Sequence, residues 1–379
     1  MSFSIERWRS LGGISPFGSM IRQQAGGGAP AGFPPWEDND PVWGDFATPL
    51  NNLFTGDGAN FDEDTSADLG SLGAGAKWWG GVLGPNGVVY GIPYTDTSIL
   101  RIDTSTDAVT TFGSFSDRWT GGVLAPNGII YGIPYNSTSV LRLNPSGDST
   151  TTFGSLTGSG KWRGGVLGPN GIIYGIPYVS ETVLRLNPSD DSTTRIGSLS
   201  GSSKWAGGVL GPNGIIYGIP YVSTSILRID PSGDVITTFD NLSGASKWVG
   251  GVLGPNGIIY GIPYDSTSIL RIDPSTDSVT TFGSLTGTGK WSGGILAPNG
   301  IIYGIPYSSE TILRIDPSTD AVTTFRGTIS GSSKWGGGVL AQNGSAYWIP
   351  YAKTSVYKHN TVSIAVPEDM PLARYWNKL

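Results

Sequence analysis

A tryptophan returns at positions 78, 119, 162, 205, 248, 291 and 335, in steps of 41, 43, 43, 43, 43 and 44 residues. No other feature restricts the fold so tightly, because a unit repeated at this period must stack or close as identical supersecondary blocks. Each unit reads as four strands. In the unit from Trp291, "WSGGILAPNG" is a short apolar strand ending at Pro298-Asn299-Gly300, where Asn and Gly tolerate positive φ and predict a tight hairpin. "IIYGIPY" is the second strand, with Ile301, Tyr303, Ile305 and Tyr307 on one face by alternation. "TILRIDPSTD" is the third and ends in a strong turn signal, and "AVTTFRGTI" is the fourth. The proline of each "GIPY" cannot donate to a ladder, so that strand is expected to bulge or stop there.

Four short strands per unit of this length is the spacing of a propeller blade. The helical periodicity that leucine-rich or helical repeats require is missing, and the end units look like the others, as a closed ring allows. The expected fold is all-β: a seven-bladed β-propeller of four-stranded antiparallel blades over residues 66–366, preceded by an extended arm (1–65) and followed by a tail (367–379). "ADLGSLGAGAKW", 67–78, aligns with "TTFGSLTGTGKW", 280–291, so residues 66–72 are expected to complete the last blade beside 355–366. The rival is that "TVSIAV", 361–366, supplies the fourth strand alone.

The order "PNG…RIDP…VTTF" resembles YVTN-type propeller repeats and is similar to repeats of the streptogramin-lyase family, over about 66–366. The resemblance implies a propeller fold and, for the lyase family, a histidine general acid/base with metal-linked acidic groups. His359 is the single histidine, it stands where sister units carry Ile or Leu, and it reads as an edge residue near the closure. The family's catalytic set therefore does not carry over. The chain has no cysteine, and no nucleophile elbow, phosphate loop or calcium-loop motif is present. No enzyme activity, catalytic residue, metal or cofactor is expected.

The repeated aromatics are the main candidate site residues. Trp78, Trp119, Trp162, Trp205, Trp248, Trp291 and Trp335 are expected to wedge between neighbouring blades, the competing role being a platform for sugars. Tyr94, Tyr135, Tyr178, Tyr221, Tyr264, Tyr307 and Tyr351 close each "GIPY" and are candidates for a ligand or partner rim, or for corner packing. Arg101/Asp103, Arg228/Asp230, Arg271/Asp273 and Arg314/Asp316 share a face of strand three and are expected to form ion pairs or bond a neighbouring turn. Asn stands for that Asp at 144, 187 and 360, so an acceptor rather than a charge is needed. Two positions vary between copies: the residue after the Trp (Trp79, Thr120, Arg163, Ala206, Val249, Ser292, Gly336) and the residue after the second Tyr (Thr95, Asn136, Val179, Val222, Asp265, Ser308, Ala352). Both are expected at solvent or at a partner touching only some blades.

Residues 1–65 differ in kind. They hold nine acidic and three basic residues and so carry the whole net charge of −6, leaving 66–379 at zero. A segment rich in glycine and proline cannot build a core, but Arg7, Trp8, Arg9, Phe17, Trp36, Trp43 and Phe46 could grip other protein subunits. An acidic chain argues against nucleic acid. The opening lacks an apolar signal core and no stretch reaches membrane-spanning length, so neither standard export nor membrane insertion is expected. Together these point to a non-enzymatic structural or adhesion protein of a bacteriophage or other virion (tail, fibre or decoration), assembled in the host cytoplasm and anchored by its arm. The alternatives are a lectin-like propeller that binds a cell-surface glycan or receptor and, third, a lyase-type enzyme.

Overall fold

The computed structural model describes residues 66–325 and 329–360. They form seven four-stranded antiparallel sheets. The third blade is typical, with strands Trp162–Leu167, Ile173–Pro177, Val183–Asn187 and Ser192–Ile196 in sequential order from the axis outward. The hairpin between its first two strands turns at Gly168-Pro169-Asn170-Gly171, with Gly171 at φ 78° and its amide donating to the Gly168 carbonyl.

The last blade closes the ring with a strand from the other end of the repeat region. Ser66–Leu69 pairs antiparallel with Val356–Asn360, Ser66 opposite His359 and Leu69 opposite Val356. The Leu72 amide extends the contact by donating to the Thr354 carbonyl at 2.7 Å. Residues 66–69 thus stand fourth in the sheet, while 361–366 and the tail lie outside the described residues. Pairing of the first and last segments in one sheet ties the two ends of the ring together and gives the last blade its fourth strand.

The second strand of every blade is buried along its length on both faces, as a central strand between two neighbouring blades must be. Its proline ends it: Pro177 lies opposite Trp162, but pairing with the third strand stops at Gly175. The bulge falls on the partner instead, between Trp162 and Gly165, and equivalently in all seven blades. The extra residue is accommodated where glycine adopts positive φ, at Gly80, Gly121, Gly164, Gly207, Gly250, Gly293 and Gly337. These glycines also touch around the axis: a Cβ on each would lie 3.0–3.6 Å from the next glycine's Cα. No side chain fits there, and the seven innermost strands pack backbone to backbone.

Between blades the core is built from shared clusters. Trp162 packs with Tyr131, Ile133 and Val140 of the preceding blade and with Ile173 and Leu184 of its own. All seven repeat tryptophans are 0–3% exposed. Six donate their indole N–H to a backbone carbonyl twenty residues on, Trp162 to Thr182 at 2.8 Å for example. Walled in and hydrogen-bonded, they have no face to offer a sugar.

Candidate functional site

Because every second strand stops at its proline on the same end of the ring, the seven tyrosines that follow are delivered to one rim. They close into a circle. The centroid spacings run 5.5 Å (Tyr94–Tyr135), 6.0, 5.9, 6.0, 5.5 and 5.9 Å round to Tyr351, and 6.0 Å from Tyr351 back to Tyr94. The rings are tilted against one another and all seven residues are half-buried. Burial, then the neighbouring phenols Tyr94 and Tyr178, push the Tyr135 hydroxyl up to about 12. Tyr264 and Tyr351 are likewise raised, first by burial and then by adjacent tyrosines.

Two side chains fill the circle. Trp79, from the first blade, meets Tyr94 and Tyr307 at 6.0 Å and stands edge-on to Tyr351 at 5.2 Å. Arg163, from the third blade, lays its guanidinium 4.5 Å from the Trp79 ring, 5.4 Å from Tyr178 and 5.5 Å from Tyr221. The pair thus bridges the axis and touches five of the seven tyrosines. Both come from the variable position after the repeat tryptophan, which was expected at solvent or at a partner. The structure corrects this. Thr120, Ala206 and Ser292 are 1% exposed and Val249 is 4% exposed, because this position points into the axis just inside the tyrosine rim. The other variable set does lie on the rim, where Thr95 and Asn136 are exposed and Val179 and Val222 are exposed apolar residues.

A second ring, absent from the sequence reading, supports the first. The residue before the repeat tryptophan is lysine in six blades (Lys77, Lys161, Lys204, Lys247, Lys290 and Lys334), and each is 0–3% exposed. Its ammonium donates to backbone carbonyls that hold the connecting loop to the neighbouring tyrosine corner. Lys161 bonds Ser137 and Gly158 at 2.7 Å, and Lys247 bonds Ser223 and Gly244 at 2.8 Å. Burial pulls Lys161, Lys247 and Lys334 down to about 8. In the second blade the slot holds Arg118, which is exposed and reaches over Tyr94 at 5.9 Å. The signal was one amino acid at one repeat position in a chain poor in charge.

At the other end of the blades, a clasp links neighbours. Tyr90 donates to Asp148 Oδ1 at 2.6 Å, Arg101 Nε to Asp148 Oδ2 at 3.0 Å, and Asn86 to the Pro145 carbonyl at 2.9 Å. The same arrangement ties Tyr174 and Arg185 to Asp234, and Tyr347 and Lys358 to Asp107. The arginine's partner is therefore a turn aspartate of the next blade. Arg101 also reaches the aspartate of its own strand, Asp103, at 3.7 Å, and those strand aspartates accept from the following turn as well, Asp230 from the amide and hydroxyl of Ser232. Asn144 does the same for Ser146, as an acceptor-only role permits.

His359 is fully buried, which corrects its placement at an edge. The closing strand covers it, and it stacks near Tyr357 at 6.1 Å, itself stacked on Trp348 at 4.3 Å. Among the described residues no group of three or more His, Asp or Glu side chains is placed to hold a metal ion, and no helix is long and apolar enough to cross a membrane. The arm residues Arg7, Trp8, Arg9, Phe17, Trp36, Trp43 and Phe46 lie outside the described residues.

Several solved structures share this architecture. A streptogramin B lyase structure superposes with a TM-score of 0.68 at 16% identity, covering 78% of this chain and 97% of that one. A catalytically inactive virginiamycin B lyase from Staphylococcus aureus with quinupristin gives 0.69 at 15% identity, covering 79% and 99%. Kuenenia stuttgartiensis hydrazine synthase gives 0.60 at 13% identity, covering 81% and 100%. At these identities the likeness is one of fold. No curated protein matches the chain. The family described as a repeat of unknown function (DUF6923) matches at residues 171–297 and again at 244–367. The two matches together span more than half of the 379 residues, from the third blade through the last, and the chain belongs to this family of repeat proteins.

Proposed function

We propose that this chain is a non-enzymatic recognition protein, whose tyrosine-ringed face meets a partner and whose residues 1–65 anchor it in a larger assembly, the case in view being a virus particle. The observation that carries the reading is the filled axis. Trp79 and Arg163 occupy the centre of the tyrosine circle, so a partner meets these side chains at the rim rather than entering the axis. The groups around it bind rather than exchange protons. Arginine stays charged, and a phenol pushed up to about 12, as at Tyr135, stays protonated at neutral pH. The lysines pulled down to about 8 are spent on backbone carbonyls in the interior, and the histidine is sealed in the last blade. What remains at the surface is a broad aromatic rim with cationic side chains, the composition of recognition hot spots.

Two measurements test this. The full chain incubated with quinupristin, the compound named with one structural neighbour, leaves it intact, and consumption above a protein-free control overturns the non-enzymatic reading. Deleting residues 1–65 leaves a propeller with the full chain's β-sheet circular dichroism that no longer joins its assembly, and unchanged incorporation overturns the anchor.

A further inference from the structure

We propose that the tyrosine circle, with Arg163 at its centre, is a single axial binding site for a sugar bearing a carboxylate, such as a hexuronate unit of a glycan. The inference rests on the recognition reading and names a ligand class for that face.

Arg163 is the starting point. It is only half-buried, yet none of the ion pairs among the described residues includes it. Aromatic rings surround the guanidinium, with Trp79 closest and Tyr178 and Tyr221 beyond. None of the side-chain hydrogen bonds among the described residues uses its N–H groups, which form the fork that matches a carboxylate with two parallel hydrogen bonds. Arg118 adds a second cation on the rim over Tyr94, also outside those ion pairs. The carboxylate that follows Tyr264, Asp265, is engaged otherwise, accepting from the Gly289 amide at 2.6 Å. Arg163 thus sets a positive charge at the centre of the circle.

The surroundings select the rest of the ligand. The tyrosine hydroxyls can each donate and accept, which suits sugar hydroxyls. The partly exposed aromatic rim suits the apolar side of a pyranose. A phosphate-rich polymer would call for a basic track rather than two arginines. A plug whose only duty is volume would be better apolar, because a half-buried guanidinium loses hydration that a methyl-rich side chain never had. The site is one per molecule, since Arg163 and Trp79 each occur once at their repeat position.

The test is isothermal calorimetry on the full chain with glucuronate, glucose, acetate and inorganic phosphate as probes. Glucuronate is expected to bind about tenfold or more tighter than each of the other three, because only it combines the fork's anion with a stacking ring. Arg163→Met is expected to abolish that preference and Arg163→Lys to lose most of it, because an ammonium lacks the fork. Tyr221→Phe, which keeps the stack and removes one hydroxyl, should weaken glucuronate several-fold, and a near-unchanged melting temperature in each variant shows that the ring persists. Glucuronate binding no tighter than glucose, or unchanged in Arg163→Met, overturns the site, as does phosphate binding equally well. A chain that ignores glucuronate but still enters its assembly overturns the site alone. A chain that binds glucuronate but enters no assembly supports the site and overturns only the anchor.

Discussion

The clasp at Asp148 tests most directly how neighbouring blades are held together. One carboxylate of the second blade accepts from the buried Tyr90 hydroxyl at 2.6 Å and from Arg101 Nε at 3.0 Å. Asp148→Ala removes both. A hydrogen bond to a charged group contributes about 1.5–3 kcal/mol. The Arg101 pair, with side chains 26% and 35% exposed, adds only about 0.2–1 kcal/mol. Asp148 also sits at φ 47°, where a Cβ costs about 1–2 kcal/mol that aspartate already bears and alanine keeps. The expected loss is therefore about 2–4 kcal/mol. Two companions separate the causes. Asp148→Gly loses the bonds but relieves the backbone, so it should fall about 1–2 kcal/mol short of alanine. Asp148→Asn keeps an acceptor and a tolerance for positive φ, and should cost about 1 kcal/mol. Urea denaturation read by tryptophan fluorescence gives the series, and a cycle with Tyr90→Phe should return a coupling above about 1 kcal/mol. If alanine costs under about 0.5 kcal/mol, or if glycine is as harmful as alanine, then the clasp or the strain argument fails respectively.

Other consequences are as open to measurement. Tyr90, Tyr174, Tyr217 and Tyr260 have hydroxyls pushed up to about 12, chiefly by burial, so the stability they supply is complete below their unfolded value near 10 and is lost as pH rises through about 12. Unfolding by circular dichroism should then coincide with tyrosinate absorbance, and tyrosinate forming earlier in an intact fold contradicts this. Lys161, Lys247 and Lys334 act with the opposite sign: between about 8 and 10.5 the unfolded chain holds more protons, so urea midpoints should climb across that window before the tyrosines reverse the trend. Trp162→Ala should cost about 3–5 kcal/mol, since it opens a shared inter-blade cluster and strands the Thr182 carbonyl. Deleting Ser66–Leu69 uncovers Val356–Asn360 as an edge, so amide exchange should accelerate first in the last blade and the melting temperature should fall; uniform exchange would argue against closure by that strand.

The seven blades, the four strands and the closing strand were legible because each is written repeatedly in local signals: Asn-Gly turns, alternation and a recurring tryptophan. The end of the second strand at each proline was legible as well, but the bulge on its partner was not, because proline marks where pairing fails and says nothing of which partner takes up an extra residue. Glycine two positions after the tryptophan held that information. The clasp escaped because Tyr90 and Asp148 are 58 residues apart, a separation that belongs to no single unit. The axial position was misread for a similar reason. A residue such as Thr120 looks like solvent drift in one blade, and only seven inner strands packed around an axis turn that face inward.

That axis also explains why the copies must disagree there. A repeat protein can duplicate any residue that faces a neighbouring blade, since each copy meets the same surroundings. At the axis all seven copies meet one another in a circle whose aromatic rings are only 5.5–6.0 Å apart. Seven tryptophans or seven arginines cannot share it, and seven small residues would leave it hollow. The packing solution is unequal: Trp79 and Arg163 are large, while Thr120, Ala206, Val249, Ser292 and Gly336 are small. Asymmetry at this position is thus a requirement of volume and needs no ligand to account for it. Volume does not, however, call for a charge. Leucine or methionine at 163 would fill the same space against Trp79 without holding a guanidinium partly out of water. The choice of arginine, rather than the broken symmetry itself, is what separates a binding site from a plug, and replacing that one residue discriminates between them.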